Sequence, residues 1–372
     1  MRKTIFTMAA AALILGFSSC SREESNTPAT DKYDVTLSFK NASTRADGPT
    51  AVDGATVTIN NGYLCFVSAN DAITKVYSIS GAASDVATGG LNINNSELEN
   101  QAVTLSDVPG TSTKVYMVAN TGAVANLPAP TVGTTMTSYM ARSMDVRDQG
   151  IYTSVTTVGN APLVTGIAPD KKTAEITLST SVSRIQIKNI TFDGDVTGTV
   201  AGIFVNGYYP TMPLNGTATA GTWRNSTTAS DYNEKSGSSI FPSVLKTFVY
   251  DEVDLNFDTD VLGTVTVEPT TTNGVWGYNL FASATPQVII KLTDVVVGGQ
   301  NLPEDQFITI NGFRSASGQI TTLLGGMIYT IETCSLVIKY ENMSIEPGVT
   351  PLEVEVTVIP VTWQETVVFP NL

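Results

Sequence analysis

The chain has 372 residues, 42% hydrophobic and 15% charged, with a net charge of −14 and no histidine. That length suits about two domains of roughly 150 residues each, and the acidic balance speaks against nucleic acid, whose phosphates need a basic face. The lack of histidine removes Ser–His and Cys–His nucleophile pairs and every His-containing zinc site, so only carboxylate, Lys or Tyr chemistry would remain for an enzyme.

The first residues read as an export address. Arg2 and Lys3 precede an apolar stretch, residues 5–17, and Ser18-Ser19 lead to Cys20. A charged start, an apolar run of about a dozen residues and small residues before a cleavage point make a signal peptide, here residues 1–19. The run is too short for a membrane-spanning helix. A Cys directly after the small residues is what lipoprotein processing needs: its thiol takes a diacylglycerol and the residue becomes the new N-terminus. Cys20 is therefore the expected lipidation and palmitate-bearing site, with an ordinary signal peptide and an incidental Cys as the other reading. Phe17 stands where such sequences usually carry Leu. Residues 21–30 are polar and unpatterned, include the acidic pair Glu23-Glu24, and read as a tether.

Strand signals then follow one another. Residues 33–40 alternate, with Tyr33, Val35, Leu37 and Phe39 on one face and Asp34, Thr36, Ser38 and Lys40 on the other. Further strands are expected at 54–59, 62–68, 74–79 and 114–119, the last closing on Asn120-Thr121-Gly122. The stretch 174–190 is strand-rich throughout. After it come 203–208, 277–282, 287–292, 307–310, 327–338 and 352–358. Helical periodicity is confined to 135–144 and 231–245. Many short strands broken by Gly, Pro, Asn and Asp predict an all-β chain of antiparallel β-sandwiches. Pro169-Asp170-Lys171-Lys172 makes a charged, turn-prone break, which divides the chain into an N-terminal sandwich over 46–173 and a C-terminal one over 174–372. Cys65 and Cys334 each lie in an apolar run and read as buried thiols, a disulfide between them being the alternative.

The segment after the first alternating strand contains Arg45-Ala46 among small polar residues, a good protease substrate. Cleavage there would separate residues 20–45, the tether and first strand, from the rest. A strand with four apolar residues on one face has to bury them. Its departure would expose an apolar groove and unpaired backbone groups, which recruit another strand. The other end of the chain offers one. After Pro360, which favours a break, residues 361–372 carry Trp363, Val367 and Phe369 on one alternating face, with Glu365 between them and Val368 alongside. Insertion from copy to copy that does not close on itself generates a filament. The plainer reading keeps 33–40 as a permanent first strand, Arg45 as a loop residue and 361–372 as the last strand of its own domain.

The order of several segments resembles the FimA-type fimbrillin family of Bacteroidales type V pili. They are Cys20 with the following strand and Thr44-Arg45-Ala46, VDGATVTINNGYLCFV (52–67), VYMVANTG (115–122), and Ser181-Val182-Ser183-Arg184-Ile185 within 176–190. YNLFAS (278–283), GGMIYTIETCSLVI (325–338) and VTVIPVTWQETVVF (356–369) continue the match. APLVTG (161–166) departs from the family at Leu163 and Val164, and Val361-Thr362 stand between Pro360 and Trp363. The resemblance implies two transthyretin-like antiparallel β-sandwich domains after the lipoprotein signal peptide. It implies an outer-membrane precursor anchored through Cys20, cut between Arg45 and Ala46 by an Arg-specific, gingipain-like protease. Polymerisation by strand exchange would follow, with the tail from about Val361 as donor. The product would be a fimbrium on the cell surface, assembled from copies of the chain and other pilus subunits and serving adhesion and colonisation. Within that system a tip subunit would need no donor tail, and an anchor would keep its lipid.

Other chemistry is thinly represented. The sequence has no GxSxG elbow and no phosphate-binding glycine loop. Asp251-Glu252-Val253-Asp254 with Asp258 and Asp260 is the densest acidic cluster and could draw Ca²⁺, although a solvated loop accounts for it as well. Trp223, Trp276 and Tyr208-Tyr209 could stack a sugar or fill a core. No catalytic residue, metal or cofactor is expected, and the rival to a pilus subunit is a monomeric glycan-binding surface lipoprotein.

Overall fold

The computed structural model describes residues 32–41, 56–57, 59, 61–80, 91–92, 103–121, 127–149, 155–187, 190–218, 223, 225, 229–232, 249–250, 276–332, 336–360 and 362–363. The fold is all-β. The N-terminal strands are β1 (Lys32–Asn41), β2 (Asn61–Ser68), β3 (Ile73–Ser80), β4 (Val103–Pro109), β5 (Ser112–Ala119), β6 (Thr157–Pro162) and β7 (Lys171–Ser179). They form a nine-stranded sheet in the order Leu91–Asn92, β3, β2, β5, β6, β7, β1, β4, with Val164–Thr165 added beside β7. The sheet rolls until its ends meet. Lys75 and Tyr77 on β3 donate to the backbone carbonyls of Asp107 and Ser106 on β4, at 3.1 and 3.0 Å. The roll encloses a core of Val35, Leu37, Leu64, Phe66, Leu105, Met117, Ile176 and Leu178.

The second sheet is built from β8 (Val182–Ile187), β9 (Val196–Asn206), β10 (Trp276–Phe281), β11 (Gln287–Val297), β12 (Gln306–Ser315), β13 (Met327–Ile331) and β14 (Pro351–Pro360). Its order is Val249–Tyr250, β9, β11, β12, β14, β13, β8, β10. Pairing is mostly antiparallel, but β1/β7, β8/β13, β12/β14 and β3 with Leu91–Asn92 are parallel. The larger core brings Ile185, Ile203, Tyr278 and Ile290 together with Cys65, Val67 and Val118 of the first sheet. This explains why β2 reads as an unbroken apolar run: Leu64 and Phe66 face the first core, Cys65 and Val67 the second.

The stretch 174–190 reads as one alternating run, yet it serves two sheets. Ala174, Ile176 and Leu178 enter the first core; Val182, Ile185 and Ile187 enter the second. The chain therefore passes between sheets at Thr180 and Ser181. The 135–144 segment forms only a short helix, Met136–Met140, capped by Thr135. Ser143–Asp145 leaves it to pair with Thr211–Pro213, tertiary pairing outweighing a weak helical preference. Of 231–245, a 3₁₀ turn, Ala229–Tyr232, covers the start; 233–245 lie outside the described residues.

A buried polar chain ties the sheets together. The Thr180 hydroxyl donates to the Thr156 carbonyl (2.9 Å), and the Thr156 amide donates to Gln149 Oε1 (2.8 Å). Asn279 Nδ2 donates to the Gln149 carbonyl (2.6 Å), and Arg184 Nη1 donates to Asn279 Oδ1 (2.9 Å). The Arg184 guanidinium lies across Gly277, where an added Cβ would sit 2.0 Å from Nη2. Such a network fixes one relative placement because each unmade bond would strand a buried polar group.

Candidate functional site

The first strand of the sequence lies inside its sheet, not at the edge. β1 runs parallel to β7, pairing Val35 with Lys172 and Leu37 with Ala174. On its other side it is antiparallel to β4, pairing Tyr33 with Val108, Val35 with Leu105 and Leu37 with Val103. Val35 and Leu37 are 0% exposed, and Tyr33 and Phe39 pack half-buried against the same core. The alternation read from the sequence thus holds, with Asp34, Thr36 and Ser38 on the outer face. Burial of Val35 and Leu37 alone is worth about 3–6 kcal/mol.

Charged contacts pin the start of β1. Lys32 Nζ meets Asp107 Oδ1 at 2.9 Å, and Lys171 Nζ pairs with the Asp34 carboxylate. The Asp34 carboxyl is held below its ordinary range chiefly by the bond from Lys171, and Asp107 likewise by Lys32; the Lys171 ammonium is correspondingly raised by Asp34. These groups are exposed, so their pairing adds little to stability. Lys172 is held differently. Its ammonium lies 3.7 Å from the centre of the Tyr33 ring and donates to the Ser112 carbonyl at 3.3 Å, a cation–π contact at the mouth of the first core.

β4 was not expected from the sequence, and its geometry shows why. Val103 and Leu105 alternate, but a bulge opposite Asp34 inserts a residue before Val108, with Asp107 at φ 62°. The extra residue breaks the period of two by which strands are read. Asp107 is a residue type that tolerates left-handed backbone, and the bulge aims its carboxylate at Lys32.

Of the tail, Thr362–Trp363 pairs in parallel with Thr56–Val57. Two residues just past β14 thus pair with a segment that follows Arg45 in sequence. Cys20, Arg45, Ala46, Val367, Val368 and Phe369 lie outside the described residues, as do Cys334 and 251–260. Cys65 is a buried free thiol whose pKa burial pushes up to about 12. The suggested aromatic platform is not flat. Tyr208 is buried, and Tyr209 meets Trp223 edge to face at 4.9 Å and 74°. The side chain of Trp276 lies outside the description. Among the described residues no three His, Cys, Asp or Glu side chains gather as a metal site, and no helix is long and apolar enough to cross a membrane.

No protein-family model and no curated protein sequence matches the chain. Solved structures do. A candidate cell adhesion protein from Bacteroides eggerthii aligns with a TM-score of 0.52 at 19% identity, over 90% of this chain and 96% of that one. A second, from Parabacteroides distasonis, aligns with a TM-score of 0.52 at 14% identity, over 89% and 97%. A C-terminally truncated tip fimbrial protein from Porphyromonas gingivalis aligns with a TM-score of 0.42 at 11% identity, over 88% and 99%. At 19% and 14% identity, what this chain shares with the two cell adhesion candidates is their fold, along nearly the whole length of both partners.

Proposed function

We propose that the chain is a non-enzymatic structural subunit of a cell-surface fimbria, serving adhesion and colonisation. It would be exported as an outer-membrane lipoprotein through Cys20, cut by an Arg-specific protease between Arg45 and Ala46, and polymerised with other copies by strand exchange. The observation that carries this reading is the position of β1. It comes first in the fold, close to the Arg45-Ala46 step, and yet it is paired on both sides and buries Val35 and Leu37 completely. Its excision would leave a strand-shaped gap between β7 and β4, with one unpaired backbone row on each wall, a site that only another strand fills. The adhesion role assigned to the two proteins of like fold supports the same reading. We read the two sheets as two transthyretin-like sandwich domains that divide near Thr180.

The test is digestion of residues 21–372 with an Arg-specific protease, followed by mass analysis of the new N-terminus, size-exclusion and electron microscopy. The reading expects Ala46 as the new start, then ladders or filaments that are lost when residues 361–372 are deleted. A cut chain that stays monomeric would turn the assignment towards a tip subunit or a monomeric glycan-binding lipoprotein. A chain that resists cutting at Arg45 would point to an anchor.

A further inference from the structure

We propose that the strand replacing β1 is residues 364–369 of a second copy in one register, with Val367 at the Val35 position, Phe369 at the Leu37 position and Glu365 at the Tyr33 position, its carboxylate on Lys172. This rests on the polymerisation reading above and names the residues that give the exchange its register.

The gap has fixed requirements. β1 is paired with both neighbours only up to Leu37, opposite Val103; beyond that only β7 continues beside it. The donor therefore has to supply a strand that is two-sided from Asp34 to Leu37 and lies beside β4 alone at Lys32 and Tyr33. Between Pro360 and Pro370 the tail has one proline-free stretch, and in the proposed register Gln364 to Phe369 fall opposite Lys32 to Leu37. Pro370 then lands at the Ser38 position, past the last β4 partner and beside Glu175 of β7, where its missing N–H ends the ladder. Trp363 falls before the two-sided span, in keeping with its backbone pairing to Val57 of its own copy.

Other registers fail on burial. Sliding by two residues brings Glu365 to the Val35 position or Asn371 to the Leu37 position, and both are fully enclosed. A carboxylate or amide there would lose its water with no partner in an apolar core. Sliding by one turns Val367 and Phe369 outward and brings Thr366 to the Val35 position or Pro370 to the Leu37 position. Only the proposed register sets Glu365 at the mouth of the core. There Lys172 is already held by the Ser112 carbonyl, 3.7 Å from the ring that departs with β1. A cation–π contact is thereby exchanged for an ion pair. The register also explains why a covalent cut has to come first. β1 fills the inward positions with Tyr33, Val35, Leu37 and Phe39, while the donor offers Glu365, Val367, Phe369 and Asn371. The less apolar strand cannot displace one that remains attached.

The test is a charge exchange in residues 21–372, each chain cut to completion at Arg45. Lys172→Glu and Glu365→Lys each juxtapose like charges, and each alone should slow ladder formation roughly tenfold or more. Mixing the two cut chains should restore it, because each groove then meets a tail of opposite charge. The double variant should polymerise like the unaltered chain. The register is overturned if either single variant polymerises at the unaltered rate, or if the mixture is no faster than its components. Failure of the unaltered cut chain to polymerise at all would overturn the polymerisation reading itself, and the register with it. Restored assembly in the mixture also excludes misfolding as the cause of the single defects.

Discussion

Truncating Leu37 to alanine tests whether β1 is an integral strand of the first core. Leu37 is fully buried between Ala174 on β7 and Val103 on β4. At about 0.8 kcal/mol per methylene the transfer loss is about 2.4 kcal/mol, and the residual cavity brings the cost of such a change to about 2–5 kcal/mol. For a domain of about 150 residues each kcal/mol lowers Tm by roughly 2–4 °C, so a fall of about 4–20 °C follows. The control is Thr36→Ala, one residue away on the outer face, where the side chain makes only an exposed 3.0 Å contact with the Thr104 hydroxyl. That change should cost within about 0.5 kcal/mol or slightly more. The assay is thermal unfolding of uncut residues 21–372 followed by circular dichroism. If Leu37→Ala melts no lower than Thr36→Ala, β1 does not occupy the core as described.

The remaining predictions concern the links between the sheets and the ends of β1. Asn279→Leu removes the acceptor of Arg184 and the donor to the Gln149 carbonyl; urea unfolding should show a loss of about 1–3 kcal/mol, and an unchanged midpoint would refute the network. Tyr139 carries the only buried side-chain polar atom without a partner among the described residues. Tyr139→Phe should therefore be neutral or stabilising by up to about 1 kcal/mol, and a clear loss would contradict that. Acid should loosen β1. A carboxylate with a lowered pKa adds stability above its ordinary value near 3.8 and loses it as the pH falls through the lower folded value. Because both pairs are exposed the effect is small: hydrogen-exchange protection of β1 relative to β5 should hold down to about pH 5 and fall slightly below about pH 4, and Asp34→Asn with Asp107→Asn should remove the fall. Persistence of the same fall in that double variant would assign it to other groups.

The sequence reading succeeded where a strand has one wet and one dry face. Tyr33 to Phe39 and Leu352 to Val358 alternate because one side meets a core, and the structure keeps both as strands. It failed where something else sets the pattern. β4 was invisible because its bulge at Ser106-Asp107 breaks the period and aims Asp107 at Lys32. The passage between the sheets at Thr180 has no local mark because an inward-facing set of the first core runs directly into one of the second. The parallel pairing of β1 with β7 joins segments more than a hundred residues apart, and nothing local records such a partner. Lys172 was noticed only as part of a charged break. Its place over Tyr33 depends on that same long-range pairing. Within the candidate site, the apolar face of β1 and most of β7 were therefore legible as strands, while β4 and the pairing of either wall with β1 were not.

The measurement that bears most directly on strand exchange is the composition of assembled material. Filaments grown from Arg-cut chain would be washed, dissociated in denaturant and weighed by intact mass spectrometry, after hydrogen exchange of the intact polymer. The account predicts subunits that begin at Ala46, no retained fragment containing Lys32–Asn41, and slow exchange at residues 364–369 that is absent from the monomer. Filaments that still hold the excised strand, or in which 364–369 exchange as fast as in the monomer, would contradict it.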